Sequence, residues 1–325
     1  MSDHVVTVTL NPAIDLTVSV AGLKPGAVNR ARAAQSNAGG KGINVAGCLA
    51  DWGVPVIGTG LLGRGNESAF TAFFRHKGIE DRFVRAPGET RTNIKIADTE
   101  TGETTDLNLP GLTADAGLLQ AVETVLEETV LPGTLVVVAG SLPAGLPARA
   151  TADLVARLNA FGARVVLDCS GPALAAALLA EPQDLPAVIK PNRAELEAFA
   201  GRPLRSTDDV TAVARSLVRR GIGLVAVSLG AEGALFVTAA GVLAARLPPV
   251  PALSTVGAGD AMVAGLVTAL RETLDPDALA RRAVAFAAAK LGGIGPNLPP
   301  RADVGALEAA AAVSGPADIR LGLSA

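Results

Sequence analysis

Hydrophobic and polar positions along this chain follow two rhythms. Val5 to Leu10 is a near-continuous β-branched run, which predicts a buried strand, and 54–62 reads the same way. Four shorter stretches, 16–20, 28–33, 90–97 and 104–109, alternate apolar with polar residues. They predict a small sheet set apart from the main body, the last two joined as a hairpin across a Thr101-Gly102 turn. A helix over 66–77 leads to a strand near 82–85. From residue 113 onward the pattern becomes regular. Helices over 113–130, 147–161, 171–180, 192–200 and 206–220 are interleaved with strands over 135–139, 164–167, 187–190 and 224–227. That succession predicts a parallel sheet covered by helices on both faces, an α/β fold. A hairpin (234–237 and 242–245) and helices over 257–272, 276–291 and 302–313 follow, with a loosely held tail from Ser314. No repeat or disordered linker interrupts residues 1–325, which read as one domain with a lid from about 11–36 and 88–110.

Composition narrows the chemistry. The 325 residues are 49% apolar and only 3% aromatic, so small residues dominate and suit close helix–sheet contact. The net charge of −3 and the lack of a basic block argue against nucleic acid. No apolar run is long enough for a membrane span, and the N-terminus lacks a basic leader, so a cytoplasmic protein is expected. The two cysteines, Cys48 and Cys169, stand among apolar neighbours and read as reduced core thiols. With two histidines and no tyrosine, a histidine metal cluster or a Ser–His–Asp triad is not credible. Acid–base work falls to carboxylates and lysines.

Two glycine-rich stretches stand at helix starts. In Val256-Gly257-Ala258-Gly259-Asp260, the glycines precede an apolar helical run and leave backbone N–H groups unpaired at a positive dipole end. Such a corner takes anions, phosphates above all. Asp260 enters on the first turn; it suits a general base for an attacking hydroxyl, or simply a favoured first-turn acid. The second stretch, Gly39-Gly40-Lys41-Gly42, lets backbone approach a ligand and offers Lys41 as a point charge. It is not a P-loop, because Gln35 and Gly42 occupy the positions that motif reserves for Gly and Ser/Thr. Gly58 to Gly63 matches a dinucleotide pattern, but it lies within one strand and no helix opens among its glycines. Asp15, Gly140-Ser141, Asp168, Lys190 and Ser228 all follow strand ends, the edge at which α/β proteins bind ligands. Asp15 is also compatible with an ordinary turn. Asn192 and Glu195 share a helix face and suit either a hydrated Mg²⁺ or a capping box. Arg91 and Lys95 could meet an anion, although for Lys95 a solvent-facing strand is the commoner situation.

Together, 37–44, 190–195, 228–233 and 254–260 resemble the ribokinase-like (PfkB) carbohydrate kinases over essentially the whole chain. With 9–15, 90–95 and 140–143 added, the resemblance is to the sugar-phosphate branch. It implies a ribokinase-like three-layer α/β/α domain with a small β-sheet lid, often a dimer surface in relatives. It also implies ATP and Mg²⁺ as cofactors, and phosphorylation of fructose 1-phosphate at its 6-hydroxyl. Asp260 would be the base, and Gly257, Ala258 and Gly259 the anion hole. Asp15, Gly39, Gly40, Asn44 and Ser141 would hold the sugar, with Lys41 and Arg91 on its phosphate. Ser228, Gly230, Gly233, Gly259 and Lys190 would meet the nucleotide, and Asn192 and Glu195 the metal through water. One departure is visible: relatives often carry an asparagine near the nucleotide where this chain reads Ala285 to Ala289. Tagatose 6-phosphate and fructose 6-phosphate are the neighbouring substrates. A non-catalytic sugar-phosphate sensor and a nicotinamide oxidoreductase are readings of other classes.

Overall fold

The structure, a computed structural model, describes residues 3–250, 256–293 and 295–316. The chain opens with β1 (Val5–Thr9), then β2 (Ala13–Val20), β3 (Ala33–Gly39), α1 (Lys41–Asp51), β4 (Val56–Gly63) and α2 (Ser68–Lys77). Four more strands follow: β5 (Glu80–Asp81), β6 (Val84–Ala86), β7 (Arg91–Asp98) and β8 (Thr104–Asn108). The regular part runs α3 (Ala116–Thr129), β9 (Leu135–Ala139), α4 (Ala150–Ala160), β10 (Arg164–Asp168), α5 (Gly171–Leu178) and β11 (Val188–Ile189). It continues with α6 (Arg193–Ala200), α7 (Thr207–Arg219), β12 (Leu224–Ser228), β13 (Ala234–Thr238) and β14 (Gly241–Arg246). The chain closes with α8 (Ala258–Arg271), α9 (Pro276–Leu291), α10 (Arg301–Ala310) and β15 (Ala312–Ser314).

The main sheet has the order β15-β14-β13-β12-β11-β10-β9-β1-β4-β5, with β6 beside the far end of β4. From β12 to β5 neighbours pair in parallel, and β12 to β15 pair antiparallel. The two faces bury separate cores. Ile43, Leu49, Phe70, Phe74, Leu266 and Phe286 lie on one, and Leu126, Leu154, Leu158, Leu174, Leu196 and Leu217 on the other. Each such side chain fully removed from water contributes about 1.5–3 kcal/mol. Small residues let helices close on one another, as the contact of α8 with α9 shows. A Cβ on Gly265 of α8 would lie 2.9 Å from the Ala283 Cα of α9.

The one tryptophan fixes a joint between three helices. Trp52 ends α1, meets the Phe286 ring of α9 at 4.9 Å, and lies between the guanidinium groups of Arg282 and Arg301 at 4.7 and 4.4 Å. Its indole N–H donates to Glu272 at the end of α8.

The second sheet is separate, with the order β3-β2-β7-β8 and a parallel central pair, β2 with β7. This is the expected small sheet with shifted boundaries: the strand expected over 16–20 begins at Ala13, so Asp15 lies within it rather than in the break after β1. The strand expected over 28–33 is instead Ala33–Gly39 and runs directly into the glycine corner. Its sequence, Ala-Ala-Gln-Ser-Asn-Ala-Gly, has little β propensity; pairing of Asp15 with Asn37 and Ala13 with Gly39 makes it a strand. At the other end, the helix expected to reach residue 313 stops at Ala310, and Ala312–Ser314 pairs with β14 as an edge strand. Ser314 is thus held in the sheet, while residues 317–325 of the expected tail lie outside the described residues. The helix expected from 113 begins at Ala116 because Asp115 caps it, accepting from Leu118 N–H. Gly58 to Gly63 lie wholly inside β4, where a Cβ on Gly60 would come within 2.0 Å of the Thr9 carbonyl oxygen.

Candidate active site

The carboxyl ends of β1, β9, β10, β11 and β12 and the starts of α1 and α8 converge beneath the small sheet. Gly257 is the N-cap of α8, in the left-handed region at φ 82, and no side chain caps it. The first helical bond runs from Ala261 N–H to the Gly257 carbonyl. The N–H groups ahead of it are therefore outside the helical ladder and lie at its positive end. Ser254 and Thr255, which precede this corner in the sequence motif, lie outside the described residues.

Asp260 is buried at 7% exposure. Its Oδ2 accepts from Asn44 Nδ2 of α1 at 2.8 Å, and a Cβ on Gly257 would stand 4.0 Å from it. The carboxylate therefore turns back toward the glycine corner. Burial, reinforced by the nearby Asp168 charge, raises its pKa to about 6; the Asn44 bond and the Lys41 and Lys190 charges pull the other way. A carboxylate so placed is ionised at neutral pH and basic enough to accept a hydroxyl proton.

Asp168 ends β10, and its significance is not visible in the sequence. It is 1% exposed. Its Oδ1 lies 3.1 Å from Lys41 Nζ and 3.5 Å from Lys190 Nζ, so one buried carboxylate ties these two lysines together. Burial would lower the Lys41 pKa, but the charges of Asp168, Asp260 and Glu195 outweigh it, and the ammonium is held above its ordinary value. Lys190 sits against the helix start: a Cβ on Gly259 would lie 3.3 Å from its Nζ.

A cavity of about 240 Å³ separates the small sheet from this floor. Asp15, Asn93 and Lys95 face it from the small sheet, and Asn44, Gly257 and Lys290 from the body. Lys95, expected on a solvent-facing strand, instead faces the cavity and is paired with Asp106 at 2.7 Å. Asp15 accepts from Asn93 at 3.1 Å, and burial raises its pKa. Gly39 is required beside it, because a Cβ there would fall 2.1 Å from Asp15 Oδ2. Gly40, at φ 112, turns the chain from β3 into α1.

Other expected residues are held more locally. Arg91 Nε donates to the Pro12 carbonyl at 3.3 Å, and burial lowers its pKa. Ser141 Oγ accepts from Asn11 Nδ2 at 3.0 Å. Asn192 and Glu195 form the reciprocal capping box at the start of α6, both bonds at 2.8 Å. Ser228 ends β12, next to Asn192. Gly230 and Gly233 flank the following turn at φ 62 and 96, and a Cβ on Gly233 would lie 2.1 Å from the Ala245 carbonyl oxygen. None of these last seven residues lines the cavity. Lys290, by contrast, lines it without having been anticipated, since a lysine in the last turn of α9 is what the helix dipole favours anyway. Both cysteines are buried and unpaired. Among the described residues no acidic, histidine or cysteine cluster could hold a metal by itself, and no helix is long and apolar enough to cross a membrane.

Comparison with known proteins bears on the chain as a whole. Residues 4–302 match the pfkB family carbohydrate kinase model. The chain is 51% identical over 292 residues to a 1-phosphofructokinase from Xanthomonas campestris pv. campestris, covering 90% of this chain and 92% of the relative. It is 48% identical over 308 residues to a 1-phosphofructokinase from Rhodobacter capsulatus, covering 94% and 96%. It is also similar to the solved structure of phosphofructokinase-2 from Escherichia coli in complex with potassium. That match has 30% identity and a TM-score of 0.88, and covers 95% of this chain and 99% of the other. The chain belongs to the pfkB family of carbohydrate kinases.

Proposed function

We propose that the protein is an ATP-dependent 1-phosphofructokinase, moving the γ-phosphoryl group of ATP to the 6-hydroxyl of fructose 1-phosphate. The products are ADP and fructose 1,6-bisphosphate. The observation that carries the reading is the meeting of Asp260 with the glycine corner at the start of α8. Asp260 takes the proton as the 6-oxygen attacks phosphorus, and the N–H groups of Gly257, Ala258 and Gly259 receive the charge on the transferring group. Asp15, Gly39, Gly40, Asn44 and Ser141 position the sugar. Lys41 and Arg91 hold its existing phosphate, releasing their present acceptors as it arrives. Lys190, Ser228, Gly230, Gly233 and Gly259 face the nucleotide.

The oxygen donors at this edge fit Mg²⁺. Asp168 Oδ2 is buried without a hydrogen-bond partner, and the Asn192–Glu195 pair begins the helix after the adjacent strand. Asn192 and Glu195 would hold the ion through water, and the ion supplies charge neutralisation on the nucleotide phosphates. The small sheet acts as a lid over one kinase domain. Its strands keep partly exposed faces, with Leu107 exposed on the edge strand, and we assign a second copy of the chain to that surface. Reduced buried thiols suit a cytoplasmic location.

The test is an ADP-release assay across fructose 1-phosphate, fructose 6-phosphate and tagatose 6-phosphate. Fructose 1-phosphate should give the highest kcat/KM, and Asp260→Asn should lower its turnover by about 10²–10⁴-fold. Preference for either 6-phosphate would overturn the substrate assignment, and near-normal turnover in the variant would overturn the base.

A further inference from the structure

Lys95 stands apart from Lys41 and Arg91, the cations assigned to the phosphate that the sugar already carries. Arg91, Asn93 and Lys95 alternate along β7 and so share its inner face. At about 3.3 Å per residue the two cationic positions are about 13 Å apart along the strand, with Asn93 midway. Asn93 lies opposite Asp15 in the register of β2 with β7 and donates to it at 3.1 Å, which marks the middle of this face as the place of the sugar. Arg91 reaches back to the Asn11 and Pro12 carbonyls, and neither it nor Lys41 lines the cavity. Lys95 does line it, and the wall on the body side includes Gly257, the cap of the anion corner. The two ends of the face therefore differ. Arg91 stands toward the phosphate the sugar brings, and Lys95 toward the end at which a second phosphate is made.

Lys95 has a partner that can be exchanged. Its Nζ lies 2.7 Å from Oδ1 of Asp106, the residue directly opposite on the edge strand β8. The lysine is largely withdrawn from water, whereas the Asp106 side chain is half exposed. An ion pair with one partner in water contributes little to stability, so breaking it costs little. A phosphate dianion offers the ammonium more charge and more acceptor oxygens than one carboxylate does. Asp106 also lines the cavity, so the carboxylate and a new phosphate compete for one ammonium. Asp15 lies in the field of the whole set. Burial raises its pKa; Asn93 and then the charges of Arg91 and Lys95 pull it down, and Asp106 adds to the rise.

We propose that Lys95 is the lid's binding residue for the phosphate added to the sugar, with Asp106 as the internal anion that holds the ammonium until that phosphate replaces it. Asp106 reclaims the lysine as the bisphosphate leaves. This inference rests on the kinase reading above.

The test is calorimetric binding of fructose 1-phosphate and of fructose 1,6-bisphosphate to the whole protein without nucleotide, with ADP release by the wild type measured alongside. Lys95→Met should weaken binding of the bisphosphate by about tenfold or more and change that of the monophosphate by less than about threefold. Lys95→Arg keeps the charge and should restore most of the lost affinity. Asp106→Asn removes the competing carboxylate and should tighten the bisphosphate by about two- to fivefold. Equal losses for both sugars in Lys95→Met make the residue a strut of the hairpin and overturn the proposal. Bisphosphate affinity that Lys95→Met leaves unchanged overturns it too. If Lys95→Met does not fold, Asp106→Asn decides, and bisphosphate affinity that stays level or falls in that variant overturns the proposal. ADP release by the wild type with fructose 1-phosphate is read independently of these affinities, so the kinase reading and the role of Lys95 can fail separately.

Discussion

Replacing Asp260 by asparagine should make the protein a far slower catalyst and a more stable fold at the same time. The folded chain holds this carboxyl at a pKa of about 6 against an ordinary 3.8, chiefly through burial. At 1.36 kcal/mol per decade of proton affinity, that gap is a cost of about 3 kcal/mol for keeping the group ionised in the fold. The direction follows from proton counting. Between pH 3.8 and about 6 the folded state holds a proton that the unfolded state has released, so stability falls as pH rises through that window. Above it, the full cost applies. Asparagine has the same shape and no charge, and its amide oxygen can turn to the Asn44 N–H that Asp260 now accepts. The variant should therefore gain up to about 3 kcal/mol at pH 8 and about half of that at pH 5. For a chain of 325 residues the gain at pH 8 corresponds to a Tm rise of roughly 4 °C. Thermal melts of both proteins, without nucleotide or sugar, at the two pH values provide the assay. A variant no more stable than wild type at pH 8, or a gap that does not shrink at pH 5, would refute the electrostatic account of Asp260.

The same carboxyl sets the pH profile. The value of kcat/KM should fall tenfold for each unit of pH below about 6, and an acid limb centred near 4 would contradict the burial argument. Gly39→Ala places a methyl group 2.1 Å from Asp15 Oδ2, so the carboxylate must swing off Asn93; KM for the sugar should rise about tenfold or more, and an unchanged KM would remove Asp15 from sugar binding. Glu195→Gln leaves an oxygen to accept the Asn192 N–H, so Tm should hold within a degree or two, while the Mg²⁺ needed for half-maximal rate should rise by about 10–100-fold.

Much of the fold was readable because its signals are local. Val5–Thr9 and Leu135–Ala139 are unbroken β-branched or apolar runs buried on both faces, and the helices between strands carry apolar stripes. Ala33–Gly39 was not readable, since only its register against Asp15 and Ala13 makes it a strand, and that register is a long-range fact. Val313, in a strand of three residues after an alanine-rich helix, was lost for a related reason. At the site, the glycine corner announces itself through spacing, whereas Asp168 gains its meaning from Lys41, 127 residues away. Lys290 was hidden by a sufficient local explanation: basic residues belong at helix C-termini, and nothing in the sequence says that this one is turned inward.

Trp52 has a practical consequence. It is the chain's one indole, and there is no tyrosine to add to its ultraviolet emission. The ring is gripped by Arg282, Arg301 and Phe286, at the far end of the helix whose first residue is Lys41 and beside the helix that carries Lys290. The molecule thus carries its own optical gauge, mounted where α1, α8 and α9 meet. If sugar or nucleotide shifts α1 against α9, the colour and brightness of that emission will change without any dye or added label.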